Sequence, residues 1–91
     1  MLVDGIRFRV SGRVQGVGFR AWARATATRI GLVGFVRNLP DGTVEIEAAG
    51  SDPSLDALRD ALRTGPPGAR VTSLSEDPVE LDSVQDFYIR R

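Results

Sequence analysis

Pro40-Asp41-Gly42 separates two strand-like stretches, 32–39 and Thr43 to Ala49. Proline presets φ, Asp bonds its own backbone, and glycine tolerates a left-handed conformation, so this tripeptide folds the chain back on itself. The two stretches are therefore predicted to form an antiparallel hairpin. In a chain of 91 residues, that commitment excludes the doubly wound nucleotide folds, which need parallel strands and two mononucleotide halves. In the second stretch Val44, Ile46 and Ala48 point to one face, and Thr43, Glu45 and Glu47 to the other. Glu45 and Glu47 are two apart on a polar face and are expected to be solvated surface charge rather than a working carboxylate pair.

Other elements fall into place around the hairpin. Residues 5–12 read as the first strand, with Ile6, Phe8 and Val10 inward and Arg7 and Arg9 on a solvated face. A helix is predicted from about Arg20 to Ile30, where Ala23, Ala27 and Ile30 make a buried stripe and Gly31 a stop. Trp22 is expected to pack at the edge of that stripe. Asp52 is a candidate cap for a second helix, with Pro53 at its first position, Leu55, Leu58 and Leu62 as its stripe, and Gly65-Pro66-Pro67 as its end. A fourth strand starts near Arg70. The spacing of three between Val71 and Leu74 breaks alternation and points to a bulge or a shifted register. Asp77-Pro78 is expected to interrupt this strand, leaving Val79 to Ser83 as loop. Phe87 and Ile89 mark a short final strand, with Tyr88 and Arg90 on its other face. The order β-α-β-β-α-β predicts an α+β, ferredoxin-like sandwich. Its antiparallel sheet would carry two helices on one face and a short extra C-terminal strand.

Residues 1–91 are long enough for one domain with a core of its own. No transmembrane run or signal-peptide pattern is present, so cytoplasmic residence is expected. Twelve basic and twelve acidic residues cancel, which gives no electrostatic argument for nucleic acid or a membrane. The missing residue types exclude more. There is no Cys and no His, and all twelve basic residues are Arg. Thiolate catalysis, zinc–thiolate sites, imidazole bases, Schiff bases and a Walker lysine are thereby removed. Chemistry here must run on Arg, Asn, Gln, carboxylates, hydroxyls and backbone.

The stretch that carries chemistry is Ser11-Gly12-Arg13-Val14-Gln15-Gly16-Val17-Gly18-Phe19-Arg20, between the first strand and the first helix. Its glycines permit positive φ and close approach of a ligand to the main chain. Several N–H groups at a helix N-terminus can then converge on an anion. Arg20 adds a planar charged fork that fits two phosphate oxygens. Gly16-x-Gly18-x-x-Ala21 also fits a dinucleotide fingerprint, but Asp41 lies in a hairpin turn and not at the end of a second parallel strand. The residues alone leave two readings open, a phosphate or carboxylate cradle and a merely tight strand-to-helix turn.

Gly12-x-Val14-Gln15-Gly16-Val17-x-Phe19-Arg20, followed by Ala27-x-x-x-Gly31-x-x-Gly34-x-Val36-x-Asn38-x-x-Asp41-Gly42-x-Val44, closely resembles the acylphosphatase family. Gly50, Gly65-Pro66 and Phe87-x-Ile89-Arg90 extend the resemblance over essentially the whole chain. Phe35 stands where a tryptophan is common, a change within what is taken as a core-facing aromatic class. The resemblance implies hydrolysis of the carboxyl–phosphate bond of acyl phosphates, with no metal, no cofactor and no phosphoenzyme. It implies Arg20 and the backbone of Gln15, Gly16, Val17, Gly18 and Phe19 as the phosphate cradle, and Asn38 as the group that orients water. The side chains of Arg13 and Gln15 are expected to be solvated. A small-molecule substrate, inhibition by phosphate, no nucleic-acid or membrane partner and a monomeric state are the accompanying expectations.

The residue inventory agrees with that chemistry. A carboxylate leaving group, with a conjugate acid of pKa about 4, needs no general acid near neutrality. Transfer through a loose transition state asks mostly for positioning and charge stabilisation. Two alternatives remain. One is a non-catalytic ligand- or RNA-binding module on the same fold; RNA readers of this architecture stack bases on exposed aromatics, whereas Phe8 alternates inward here. The other is the amino-terminal acylphosphatase-like part of large hydrogenase-maturation proteins, against a free-standing domain.

Overall fold

Ile6, Phe8 and Val10 stand opposite Ala48, Ile46 and Val44, residue against residue, and this apolar stripe is the floor on which the helices lie. The computed structural model describes residues 1–91. Its elements are β1 (Leu2–Arg13), α1 (Phe19–Ile30), β2 (Val33–Asn38), β3 (Val44–Ala49), α2 (Asp52–Thr64), β4 (Arg70–Asp82) and β5 (Phe87–Ile89). The strands lie in the order β4-β1-β3-β2-β5. This is the expected α+β ferredoxin-like sandwich. The first four strands pair antiparallel, but β5 runs parallel to β2, so the sheet is mixed rather than wholly antiparallel.

Both helices owe their positions to their stripes. Ala23 and Ala27 are fully buried, and such small side chains let α1 lie close to the sheet. Leu55, Leu58 and Leu62 bring α2 down beside it. Truncating Leu58, which is wholly enclosed, should cost about 2–5 kcal/mol. Gly31 ends α1 in the left-handed region and donates to Ala27 O and Thr28 O. Ser51, not Asp52, caps α2: its Oγ accepts from Ser54 N at 3.2 Å, and Asp52 is already helical. Trp22 packs against the core with its ring edge-on to Phe19, centroids 5.3 Å apart.

Three expectations fail in the sheet. Asp77-Pro78 does not interrupt the fourth strand, and 79–82 is strand rather than loop, because β4 pairs along β1 as far as Asp82↔Leu2. β4 is an edge strand, where half the N–H groups have no ladder partner and a proline is tolerated. The irregular spacing of Val71 and Leu74 is indeed a bulge: the register shifts between Ser11↔Ser73 and Gly12↔Val71. Second, Glu45 and Glu47 are buried rather than solvated. Glu45 accepts from Arg37 Nε at 2.9 Å and from Arg9 Nη2 at 3.4 Å, and Arg7 Nη2 lies 2.8 Å from Glu47. Long arginine stems close over the two carboxylates on the face away from the helices. Third, Phe35 belongs to that same open face. It is 6% exposed, sealed by Tyr88 and by the guanidiniums of Arg37 and Arg90 at 6.0 and 5.0 Å from its ring centre. No helix is long and apolar enough to cross a membrane.

Candidate active site

The loop between β1 and α1 is built to leave its N–H groups free. Gly16 and Gly18 both hold φ near 76°, where a side chain would be strained, and Gly18 is the left-handed cap of α1. No side chain caps this helix, and no acidic residue occupies its first turn. The first backbone donor to find an acceptor is Trp22, whose N–H reaches Gly18 O at 3.0 Å; those of Gly16 to Ala21 have none in the chain. A bound anion would satisfy them and also meet the positive end of the helix dipole.

Asn38 reaches the same place from the other side. Alternation along β2 puts it on the helix-covered face with Val36, opposite the fully buried Val44. Its Oδ1 is buried and accepts no hydrogen bond. An unpaired buried acceptor costs about 1–3 kcal/mol, so it calls for an explanation, and a catalytic role is one.

A cleft of about 190 Å³ joins these groups. Gly16, Gly18, Phe19, Arg20 and Ala21 line it from the loop and α1, Val14 from below, Asn38 from β2, and Ile89 and Arg91 from the end of the chain. No Asp or Glu is among them, and two arginines are, which favours an anion. The structure brings Arg20, Asn38, Gly16, Gly18 and Phe19 to one cleft; Gln15 and Val17 are not among its lining residues. Gln15 is placed differently from expectation. Its side chain is not solvated; Nε2 donates to Leu39 O and Thr43 O, both at 2.9 Å. Arg13 is exposed as expected.

Arg91 was not singled out from the sequence. Ile89 pairs alongside Val36, and Arg90 N donates to Val36 O at 2.9 Å, which carries the next residue toward Asn38. The signal was present: Arg91 continues the period-two face of Phe87 and Ile89. Asp41 lies outside the cleft lining. It accepts from Thr43 N at 3.0 Å and from Thr43 Oγ1 at 2.6 Å, and these bonds hold its carboxyl below the usual range. It is a turn-former.

A strand-to-helix anion cradle facing an unpartnered asparagine, on a ferredoxin-like sheet, defines a small anion-binding α+β domain. More narrowly, the chain belongs to the acylphosphatase family, which it matches over residues 6–89. It is 45% identical to an acylphosphatase of Rhizobium etli over 94% of this chain and 93% of that one. The crystal structure of acylphosphatase from Bacillus subtilis superposes with a TM-score of 0.92 at 37% identity, covering 98% of this chain and all of that one. The same fold occurs inside a longer protein. HypF of T. kodakarensis matches with a TM-score of 0.83 at 31% identity over 98% of this chain, but only 12% of its own length.

Proposed function

We propose that the cleft between the β1–α1 loop and the end of β2 is where this chain hydrolyses acyl phosphates to a carboxylate and inorganic phosphate, with Arg20 and Asn38 as its catalytic residues. The family relationship supplies the reaction. The observation that carries the residue assignment is the buried, unpartnered Oδ1 of Asn38, which lines the same cleft as Arg20 and the free N–H groups of the loop.

Arg20 grips two phosphoryl oxygens in its fork, and the backbone N–H groups from Gln15 to Phe19 take the third and share the first two. A water donating one hydrogen to Asn38 Oδ1 keeps a lone pair directed at phosphorus. Water attacks phosphorus, the P–O bond to the acyl group breaks, and its electron pair leaves on the carboxylate. Asn38 cannot ionise and so orients rather than deprotonates; the water's proton passes to a phosphoryl oxygen of the substrate. A carboxylate leaves unprotonated near neutrality, so the absence of His and Lys costs the reaction nothing.

Residues 1–91 act here as one monomeric, cytoplasmic domain with a small-molecule substrate and no nucleic-acid partner. The RNA-binding alternative finds little support, since Phe35 is sealed and the central strands offer paired charges on their open face. The test is hydrolysis of benzoyl phosphate in EDTA. Turnover should persist and inorganic phosphate should inhibit competitively; activity that disappeared in EDTA and returned with magnesium would overturn the proposal.

A further inference from the structure

The side chain of Gln15 turns away from the loop to which its backbone belongs. Its Nε2 donates both hydrogens to the β2–β3 turn, one to Leu39 O and one to Thr43 O. Those carbonyls close the neck of that turn: Thr43 O also accepts from Leu39 N at 2.9 Å, and Leu39 O from Gly42 N at 3.1 Å. Leu39 directly follows Asn38. No other side-chain hydrogen bond joins residues 14–18 to residues 38–43.

We propose that Gln15 is a positioning residue: its side-chain amide fixes the separation between the phosphate loop and Asn38, and so the line along which water meets phosphorus. This rests on the assignment of the loop and Asn38 made above. The role demands a particular side chain. Glutamine offers two N–H donors at the right reach, whereas an ionised glutamate offers acceptors only and would oppose two carbonyl oxygens. Methionine keeps the length and removes the donors. With the bracket gone, the loop keeps its own N–H groups and Arg20, so phosphate still binds. What is lost is alignment with the water, and a displacement of about 1 Å can cost roughly 10²-fold in rate.

The experiment measures kcat and the phosphate inhibition constant for Gln15→Met, Asn38→Ala and the double variant on benzoyl phosphate. Gln15→Met should lower kcat about 10–100-fold while leaving the phosphate constant within about threefold. The double variant should be no more than about threefold slower than Asn38→Ala, since a water already unplaced cannot be misplaced further. Losses that multiply in the double variant, a kcat for Gln15→Met close to wild type, or phosphate binding that weakens in step with kcat would each overturn the positioning role. Gln15→Glu keeps the test open should Gln15→Met not fold. Its rate relative to wild type should rise as pH falls and the carboxyl regains a donor; a flat ratio counts against the role. Full activity in Asn38→Ala would remove the underlying assignment and this role with it. A crippled Asn38→Ala beside an unimpaired Gln15→Met would remove the positioning role alone.

Discussion

Asn38 pairs with Val44 across the β2–β3 ladder, and because Val44 is fully buried, the asparagine amide is carried onto the apolar, helix-covered face of the sheet. There its Oδ1 has no partner. A polar group left unsatisfied at the end of a core stripe is maintained against stability. Asn38→Val should therefore remove activity and raise unfolding stability by about 1 kcal/mol. Urea denaturation checks the second half; a variant less stable than wild type would mean that the amide is held by contacts that matter to folding.

The carboxylate of Glu45 draws three arginines together, with Arg37 at 2.9 Å, Arg9 at 3.4 Å and Arg7 at 3.8 Å. The arginines remain partly solvated, so they lose less than a fully buried partner would when the carboxylate is removed. Glu45→Ala should cost about 2 kcal/mol of stability and leave kcat nearly unchanged, since this network lies on the face of the sheet away from the cleft. Denaturant midpoints together with a benzoyl phosphate assay separate the two effects. A large fall in kcat at full folding would tie the open face to catalysis.

Glycines at two positions should respond to substitution to very different degrees. A Cβ on Gly34, where φ is 139°, would fall on the Glu47 carbonyl oxygen, so Gly34→Ala should prevent β2 from pairing with β3 and abolish folding. A Cβ on Gly18 meets nothing, and only the left-handed backbone is strained, at about 1–2 kcal/mol. Circular dichroism melts of the two variants provide the comparison. A folded Gly34→Ala protein with wild-type stability would contradict the register.

The pH dependence should be set by the substrate. Asn38 has no ionisable group, and there is no histidine. Asp41, held below its ordinary value of 3.8 by the Thr43 hydroxyl and N–H, stays ionised throughout that range. Its depressed pKa contributes stability that is present above the ordinary value and lost as pH falls through the folded one. Asp41→Asn should therefore lower Tm slightly at neutral pH, and the gap should close in acid. Its pH–rate profile should superimpose on that of wild type, both moving only with the phosphoryl pKa of the substrate. An acidic limb that vanished in Asp41→Asn would reveal an enzymic base.

Most of the architecture was legible because the core stripes alternate cleanly: Val44, Ile46 and Ala48 on one strand, Leu55, Leu58 and Leu62 on one helix. The misreadings share a physical cause. Glu45 and Glu47 sit at polar positions of a strand, and nothing local tells that arginines from β1 and β2 will close over them. Pro78 reads as a breaker until its strand proves to lie at a sheet edge. Phe35 looks inward by residue type, yet parity with Val36 puts it on the other face. In the cleft, Arg20 and the glycines were legible from loop chemistry, and Asn38 only through family resemblance. The side-chain bonds of Gln15 span 24 and 28 residues, a distance across which a single sequence carries no signal.

The central assignment separates a residue that holds phosphate from one that holds water, and paired kinetics on Arg20→Ala and Asn38→Ala test it directly. With benzoyl phosphate as substrate and inorganic phosphate as inhibitor, Arg20→Ala should lose about 10²–10³ in kcat and bind phosphate poorly, with Arg20→Lys a weak rescue. Asn38→Ala should lose a comparable factor in kcat while its phosphate inhibition constant stays near wild type. A folded Arg20→Ala protein within about tenfold of wild-type kcat, or an Asn38→Ala protein with normal kcat and weakened phosphate binding, would contradict the assignment.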